Sequence, residues 1–136
     1  MQIAVGENTF EARVAGPDDG EPVLLLHGFP QTSYSWRAQL EALGAAGYRA
    51  IAPDQRGYSP GARPTEVEAY AIEHLVADVV GMADALGLER FDLVGHDWGA
   101  AVAWATAITR PDRVRSLAAL SVPHPDAFRR ALQGEG

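Results

Sequence analysis

Apolar residues recur along the chain in short runs, separated by turns rich in glycine, proline and acidic residues. Runs of this length, bounded by turn residues, are typical of strands in a buried sheet. The first two runs are joined by a three-residue turn and predict a hairpin. The predicted strands cover residues 1–5, 9–15, 22–26, 48–53, 91–94 and 114–122.

Other segments carry apolar residues at helical spacing. They predict helices over 35–43, about 67–86 and 99–109, with another opening at Asp126. In the longest of these, Glu73, Asp78 and Asp84 fall off the apolar stripe and are expected on the solvent side. The predicted stripe consists of Ile72, Leu75, Val76, Val79, Met82, Ala83 and Leu86.

Strands that alternate with helices favour a mostly parallel, doubly wound α/β sheet with right-handed crossovers. In such sheets the functional loops lie at the carboxyl ends of the strands. Three loops follow predicted strands there, at residues 27–34, 54–64 and 95–98. The absence of internal repeats and linkers indicates a single domain.

The third loop contains the pattern Gly95-x-Asp97-x-Gly99, which leaves a predicted strand and opens a predicted helix. This spacing is typical of a nucleophile elbow, a sharp turn that exposes its central side chain above a sheet. The helix N-terminus favours an ionised carboxylate at Asp97. A carboxylate that attacks carbon forms an ester, so the substrate needs a strained ring or a leaving group, as in an epoxide or alkyl halide. The alternative is that Asp97 only caps the helix.

Composition narrows the possible functions. Hydrophobic residues make up 47% of the 136-residue chain and charged residues 21%, as in soluble globular proteins. The net charge is -7 and the 11 basic residues are all arginine and dispersed, which argues against nucleic acid as a partner. The chain has no cysteine, no apolar stretch long enough for a membrane span and no G-x-G-x-x-G motif. We therefore expect a cytoplasmic protein without a metal, a cofactor or a membrane partner.

The chain resembles the N-terminal half of the epoxide hydrolase branch of the α/β-hydrolase fold superfamily. The matching motifs occur in the family's order and span most of the sequence. They are His27-Gly28-Phe29-Pro30, Tyr34-Ser35-Trp36-Arg37, Asp54-Gln55-Arg56-Gly57-Tyr58-Ser59, Gly95-His96-Asp97-Trp98-Gly99 and Arg110-Pro111-Asp112-Arg113-Val114.

The resemblance implies a role for each matching position. Asp97 would be the nucleophile, and the backbone N–H groups of Phe29 and Trp98 would form the oxyanion hole. Trp36 and His124 would line the substrate pocket. The remaining positions would shape the two loops, with a cis peptide bond before the proline: His27, Gly28, Pro30, Gly95 and Gly99.

Dehalogenases of the same superfamily are an alternative, because Trp98 matches their halide-binding tryptophan. Haloalkane dehalogenases usually have asparagine where this chain has Phe29. Fluoroacetate dehalogenases tend to have an arginine that binds the substrate carboxylate at the position where this chain has Trp98. A tryptophan cannot bind a carboxylate in that way. These differences favour an epoxide as the small-molecule substrate.

The family's catalytic acid and histidine base follow the nucleophile, beyond a cap domain and further strands. His124 comes too early to be that base, His96 is expected to pack in the sheet, and His74 is expected to have no chemical role. Residues 1–136 are therefore interpreted as the N-terminal portion of one core domain, truncated after the sixth strand, without the cap or the C-terminal strands. A fragment, a truncated reading frame and a split enzyme completed by a second chain all remain open.

We expect such a chain to lack multiple turnover. The alternative from a different functional class is a non-catalytic member of the fold, which binds a ligand or a partner chain.

Overall fold

The computed structural model describes residues 1–120. A single sheet of six strands is flanked by three α-helices. The strands are β1 (Gln2–Val5), β2 (Asn8–Ala15), β3 (Pro22–Leu26), β4 (Arg49–Pro53), β5 (Phe91–His96) and β6 (Val114–Leu120). The helices are α1 (Arg37–Ala45), α2 (Ile72–Ala85) and α3 (Trp98–Thr109), with short 3-10 helices at Ser33–Trp36 and Val67–Tyr70.

The strands lie in the order β1-β2-β4-β3-β5-β6. The hairpin strands β1 and β2 are antiparallel, β2 pairs antiparallel with β4, and the remaining pairs are parallel. The predicted mostly parallel α/β sheet is therefore confirmed. Pairing of β3 with both β4 and β5 brings the three predicted loops to one edge of the sheet.

The side-chain alternation of the central strand β3 divides the core in two. Leu24 and Leu26 pack on the face covered by α2 and α3, whereas Val23 and Leu25 pack on the face covered by α1. Both faces are apolar, so a continuous hydrophobic run suits this strand. None of the helices within residues 1–120 has the length and apolar character needed to cross a bilayer.

Two predicted elements differ from the structure. The long helix predicted over 67–86 is interrupted at Ala71, whose extended backbone (φ -60°, ψ 149°) separates a 3-10 turn from α2. The last strand was predicted to be buried, but its residues are intermediate or exposed, since β6 lies at the edge of the sheet in the described part of the chain. The strand's predicted end at 122 and the helix at Asp126 fall outside the described residues.

The prediction that Asp78 faces solvent is wrong. Asp78 is buried in α2 and accepts two hydrogen bonds from Arg56, at 2.8 Å from Nε and 2.7 Å from Nη2. The same guanidinium donates to the Ala69 carbonyl at 2.9 Å. A buried carboxylate needs such a partner, because its desolvation is otherwise costly. The pair fixes the 54–64 loop to α2.

We predict that Asp78→Ala destabilises the fold by about 3–5 kcal/mol, since it leaves Arg56 buried without its counter-charge. Asp84→Ala is the matched control on the same helix. Asp84 pairs with Arg113 at 2.8 Å, but its side chain is 61% exposed, so the control should cost about 1 kcal/mol or less. Urea unfolding of the three proteins measures both values, and equal losses would contradict the prediction.

Candidate active site

A cavity of about 710 Å³ opens at the carboxyl edge of the sheet, where the three loops meet. Asp97 lies in its wall, together with Arg56 and Gly57. The rest of the lining is aromatic and comes from all three loops and the adjoining 3-10 helix: Phe29, Tyr58, Tyr70 and Trp98. The arrangement places one carboxylate in largely apolar surroundings.

Asp97 occupies the turn between β5 and α3 in a strained conformation. Its φ of +56° is the only positive φ among the non-glycine residues of the described chain. Such conformations cost about 1–3 kcal/mol and persist where the surroundings enforce them. The Asp97 side chain makes no N-cap hydrogen bond, which would go to the N–H of the second or third residue of α3, and this argues against the simple capping role.

Close backbone contacts enforce this turn. A Cβ atom on Gly99 would overlap the carbonyl oxygens of Leu26 and His27 at the end of β3. On Gly95 it would overlap the backbone of Gly99 itself. The glycine spacing noticed in the sequence thus has a steric cause, because β3, β5 and α3 meet without room for side chains.

The Asp97 carboxylate is held by backbone N–H groups. The Phe29 N–H donates to Oδ2 at 3.1 Å. Hydrogen bonding from the Trp98 backbone, then from Phe29, lowers the pKa of Asp97, and the nearby His96 acts in the same direction. Asp97 is therefore a carboxylate at neutral pH. Of the two N–H groups predicted to form the oxyanion hole, that of Phe29 donates to this side chain, and that of Trp98 contributes to its lowered pKa.

His27 is buried directly beneath the site, and both ring nitrogens are engaged. The Gln55 N–H donates to Nε2 at 3.0 Å, so Nδ1 carries the proton that it donates to the Gly28 carbonyl at 3.0 Å. Burial lowers the pKa of His27. The edge of one ring meets the face of the other between His27 and Tyr58, with centroids 4.6 Å apart. His27 is a neutral, fully bonded histidine.

Trp36, which was predicted to line the substrate pocket, does not line the cavity that contains Asp97 within residues 1–120. Trp36 is buried in the core under α1 and borders a separate cavity of about 210 Å³, not the one that contains Asp97. Its indole Nε1 has no hydrogen-bond partner within residues 1–120. Its role in lining the substrate pocket stays a prediction, and within residues 1–120 the Trp36 side chain packs under α1. The predicted pocket residue His124 lies outside the described residues.

The other predicted positions fall near Asp97. The Phe29-Pro30 peptide bond is cis, as the resemblance implied. Gly28 approaches so closely that a Cβ on it would lie 2.6 Å from the Cβ of Asp97. His96 ends β5 with Nδ1 3.3 Å from the Gln31 side-chain oxygen, on the smaller cavity. His74 is exposed on α2.

Sequence reasoning missed the contribution of Arg56, Tyr58 and Tyr70 to the cavity. Arg56 and Tyr58 belong to a loop that was expected at the functional edge, so its position was a usable signal. Tyr70 had none, because it lies in a segment interpreted as regular helix. No group of three histidine, aspartate or glutamate side chains suited to a metal ion occurs among residues 1–120.

Comparison with known proteins gives one family. The family model described as "alpha/beta hydrolase fold" matches residues 21–134. Epoxide hydrolase A of Mycobacterium tuberculosis is 53% identical over 111 residues, which cover 81% of this chain and 34% of that protein. Epoxide hydrolase 3 of Siraitia grosvenorii is 49% identical over 120 residues, 88% of this chain and 38% of that protein.

Solved structures show the same likeness. Epoxide hydrolase A from Mycobacterium thermoresistibile superposes with a TM-score of 0.87 at 42% identity, over 98% of this chain and 44% of that one. An epoxide hydrolase from Vigna radiata gives 0.86 at 40% identity, over 99% and 46%. The chain thus spans between a third and a half of the length of these relatives.

We predict that Gly99→Ala destabilises the protein by about 3 kcal/mol, because the added methyl group overlaps two carbonyl oxygens of neighbouring backbone. Gly87→Ala is the control. Unlike Gly99, Gly87 has a positive φ, +72°, and open space around it, so only the conformational penalty of about 1 kcal/mol applies. Thermal unfolding compares them, and a Gly99 variant no worse than the control would refute the steric account.

We also predict an acid-dependent loss of stability from His27. A histidine with a lowered folded pKa binds fewer protons when folded, so its contribution is complete above the ordinary value of 6.5. The contribution is lost as pH falls from 6.5 towards the folded pKa. The free energy of unfolding, measured from pH 8 to 5, should fall less steeply in His27→Gln. Equal slopes in the two proteins would count against the prediction.

Proposed function

The chain belongs to the alpha/beta hydrolase fold family, and on this premise we propose that it carries the nucleophile of an epoxide hydrolase. Asp97 would attack a ring carbon of a small epoxide. The observation that carries the proposal is the position of Asp97, a strained carboxylate held by backbone N–H groups in an apolar cavity. Relatives named epoxide hydrolases, 49% and 53% identical, support the substrate class.

The two carboxylate oxygens of Asp97 have different surroundings. Oδ2 accepts the Phe29 N–H, which leaves Oδ1 as the attacking oxygen. In the first step Oδ1 bonds to a ring carbon and the ring C–O bond breaks. The released alkoxide takes a proton from water and becomes a hydroxyl, which leaves a hydroxide ion in solution. The product is a hydroxyalkyl ester of Asp97.

Hydrolysis of this ester would use the same donors. Water adds to the Asp97 carboxyl carbon, and negative charge builds on Oδ2, where the Phe29 and Trp98 N–H groups can stabilise it. Collapse of this intermediate regenerates the carboxylate and releases a diol. The Phe29 N–H, which is positioned for Oδ2, therefore serves both the resting carboxylate and the oxyanion.

Charge in the cavity favours uncharged substrates. The only cation in its lining within residues 1–120, Arg56, is engaged by Asp78 and the Ala69 carbonyl. The negative charge of Asp97 therefore remains without a counter-charge in the cavity lining, and it repels carboxylate substrates. This disfavours the haloacid alternative, while the exposed Trp98 indole keeps uncharged alkyl halides as substrates to be tested.

A base for ester hydrolysis does not appear among the described histidines. Both nitrogens of His27 are occupied, His96 faces Gln31, and His74 is on the outer surface of α2. We therefore propose that the base comes from sequence outside residues 1–120 or from a partner chain. With only the histidines of residues 1–120, the ester of Asp97 should be long-lived.

The proposal predicts that incubation with styrene oxide adds the mass of one epoxide to Asp97, detected by intact-mass and peptide mass spectrometry. Asp97→Asn should abolish the adduct, since asparagine tolerates the positive φ but has no nucleophilic carboxylate. Asp92→Asn is the control. Asp92 is on β5, the strand that precedes Asp97, and pairs with Arg115 away from the cavity, so this variant should react normally.

The outcomes separate the alternatives. No adduct with any uncharged epoxide or alkyl halide would favour a non-catalytic binding protein. Adducts only with alkyl halides, accompanied by halide release, would favour a dehalogenase. Steady diol formation that depends on Asp97 would show that the chain has its own base and that the long-lived ester is wrong.

A further inference from the structure

His27 has no place in the chemistry proposed above, although it is 1% exposed and fully hydrogen-bonded beside the site. Its Nδ1–H donates to the carbonyl of Gly28, at 3.0 Å. That carbonyl belongs to the same peptide unit as the N–H of Phe29. One histidine therefore contacts one end of the peptide group whose other end meets the nucleophile.

The geometry of that peptide unit links the two contacts. A trans peptide directs its C=O and N–H to opposite sides of one plane. The Gly28 carbonyl accepts from His27 on one side and from the Gln31 N–H at 2.9 Å. On the other side the Phe29 N–H donates to Asp97 Oδ2 at 3.1 Å. Rotation of this plane would break bonds at both ends at once.

The loop that follows β4 fixes the tautomer of His27. The Gln55 N–H donates to Nε2 at 3.0 Å, and the Gln55 side chain returns a hydrogen bond to the His27 carbonyl at 2.7 Å. Nε2 must then be an acceptor and Nδ1 the donor. A chain of hydrogen bonds thus runs from Gln55 through His27 and the Gly28-Phe29 peptide to Asp97. The bonds within such a chain polarise and strengthen one another.

We propose that His27 is a positioning residue, which aims the Phe29 N–H at the Asp97 carboxylate by holding the Gly28 carbonyl. It acts through the peptide plane and contacts no reacting atom. The catalytic meaning rests on the proposed function, but the positioning itself is a property of the folded chain. Other groups with charge or titration near the ring are Asp54 and Tyr58.

Two substitutions separate the bonds of His27. In His27→Asn the side-chain amide can take the place of Nδ1–H and donate to Gly28, whereas the acceptor for Gln55 is lost. In His27→Gln the amide oxygen can take the place of Nε2 and accept from Gln55, whereas the donor to Gly28 is lost. Each variant gives up one buried hydrogen bond, so their losses of stability should be similar.

The first measurement is the pKa of Asp97, followed by carbon-13 NMR of the labelled carboxyl group in the full chain. The hydrogen bond from the Phe29 N–H helps to lower the pKa of Asp97. Misalignment of this N–H in His27→Gln should therefore raise the pKa of Asp97, whereas His27→Asn should leave that pKa unchanged. Equal pKa values for Asp97 in all three proteins, or equal shifts in both variants, would overturn the proposal.

A second measurement needs no substitution. Nitrogen-15 NMR of the unchanged chain should show His27 as the neutral Nδ1–H tautomer, and the Phe29 amide signal should move as Asp97 titrates. An Nε2–H tautomer, or a Phe29 amide indifferent to Asp97, would refute the positioning role. If styrene oxide never alkylates Asp97, the proposed function fails while both NMR tests retain their meaning.

Discussion

The meeting of three backbone segments around Asp97 is the constraint on which the rest of the site depends. The end of β3, the end of β5 and the first turn of α3 approach so closely that only glycine fits at positions 95 and 99. The positive φ of Asp97 follows from that approach and places its carboxylate above the sheet. Because the Phe29 N–H then lies at 3.1 Å from Oδ2, the 27–34 loop and the turn at Asp97 form one unit.

The sheet supplies the rigid support for this unit. Parallel pairing of β3 with β4 and β5 aligns the carboxyl ends of three strands, so three loops that are distant in sequence meet at one cavity. Beneath them, His27 and Gln55 join the ends of β3 and β4 by two hydrogen bonds. The Arg56–Asp78 pair adds a third connection, from the 54–64 loop to α2.

Sequence patterns predicted the features that follow from repeated apolar positions or from backbone geometry that requires glycine. Apolar runs located the strands, and the glycine spacing located the turn at Asp97. What they missed depends on long-range contacts. Asp78 was expected in solvent because it falls off the apolar stripe of its helix. Its burial could not be predicted without knowing that it pairs with Arg56, 22 residues earlier. Trp36 was predicted to line the substrate pocket, and only the packing of α1 shows that within residues 1–120 it contributes to the core.

The division of β3 between two cores also bears on how such a chain can vary. Leu24 and Leu26 serve one core, and Val23 and Leu25 serve the other. Insertion or deletion of a single residue within this strand would exchange the faces of every side chain that follows. It would also move Gly28 out of register with Asp97. Changes in length during evolution should therefore collect in exposed turns such as the one at Asp18, while β3 keeps its number of residues even where their identities change.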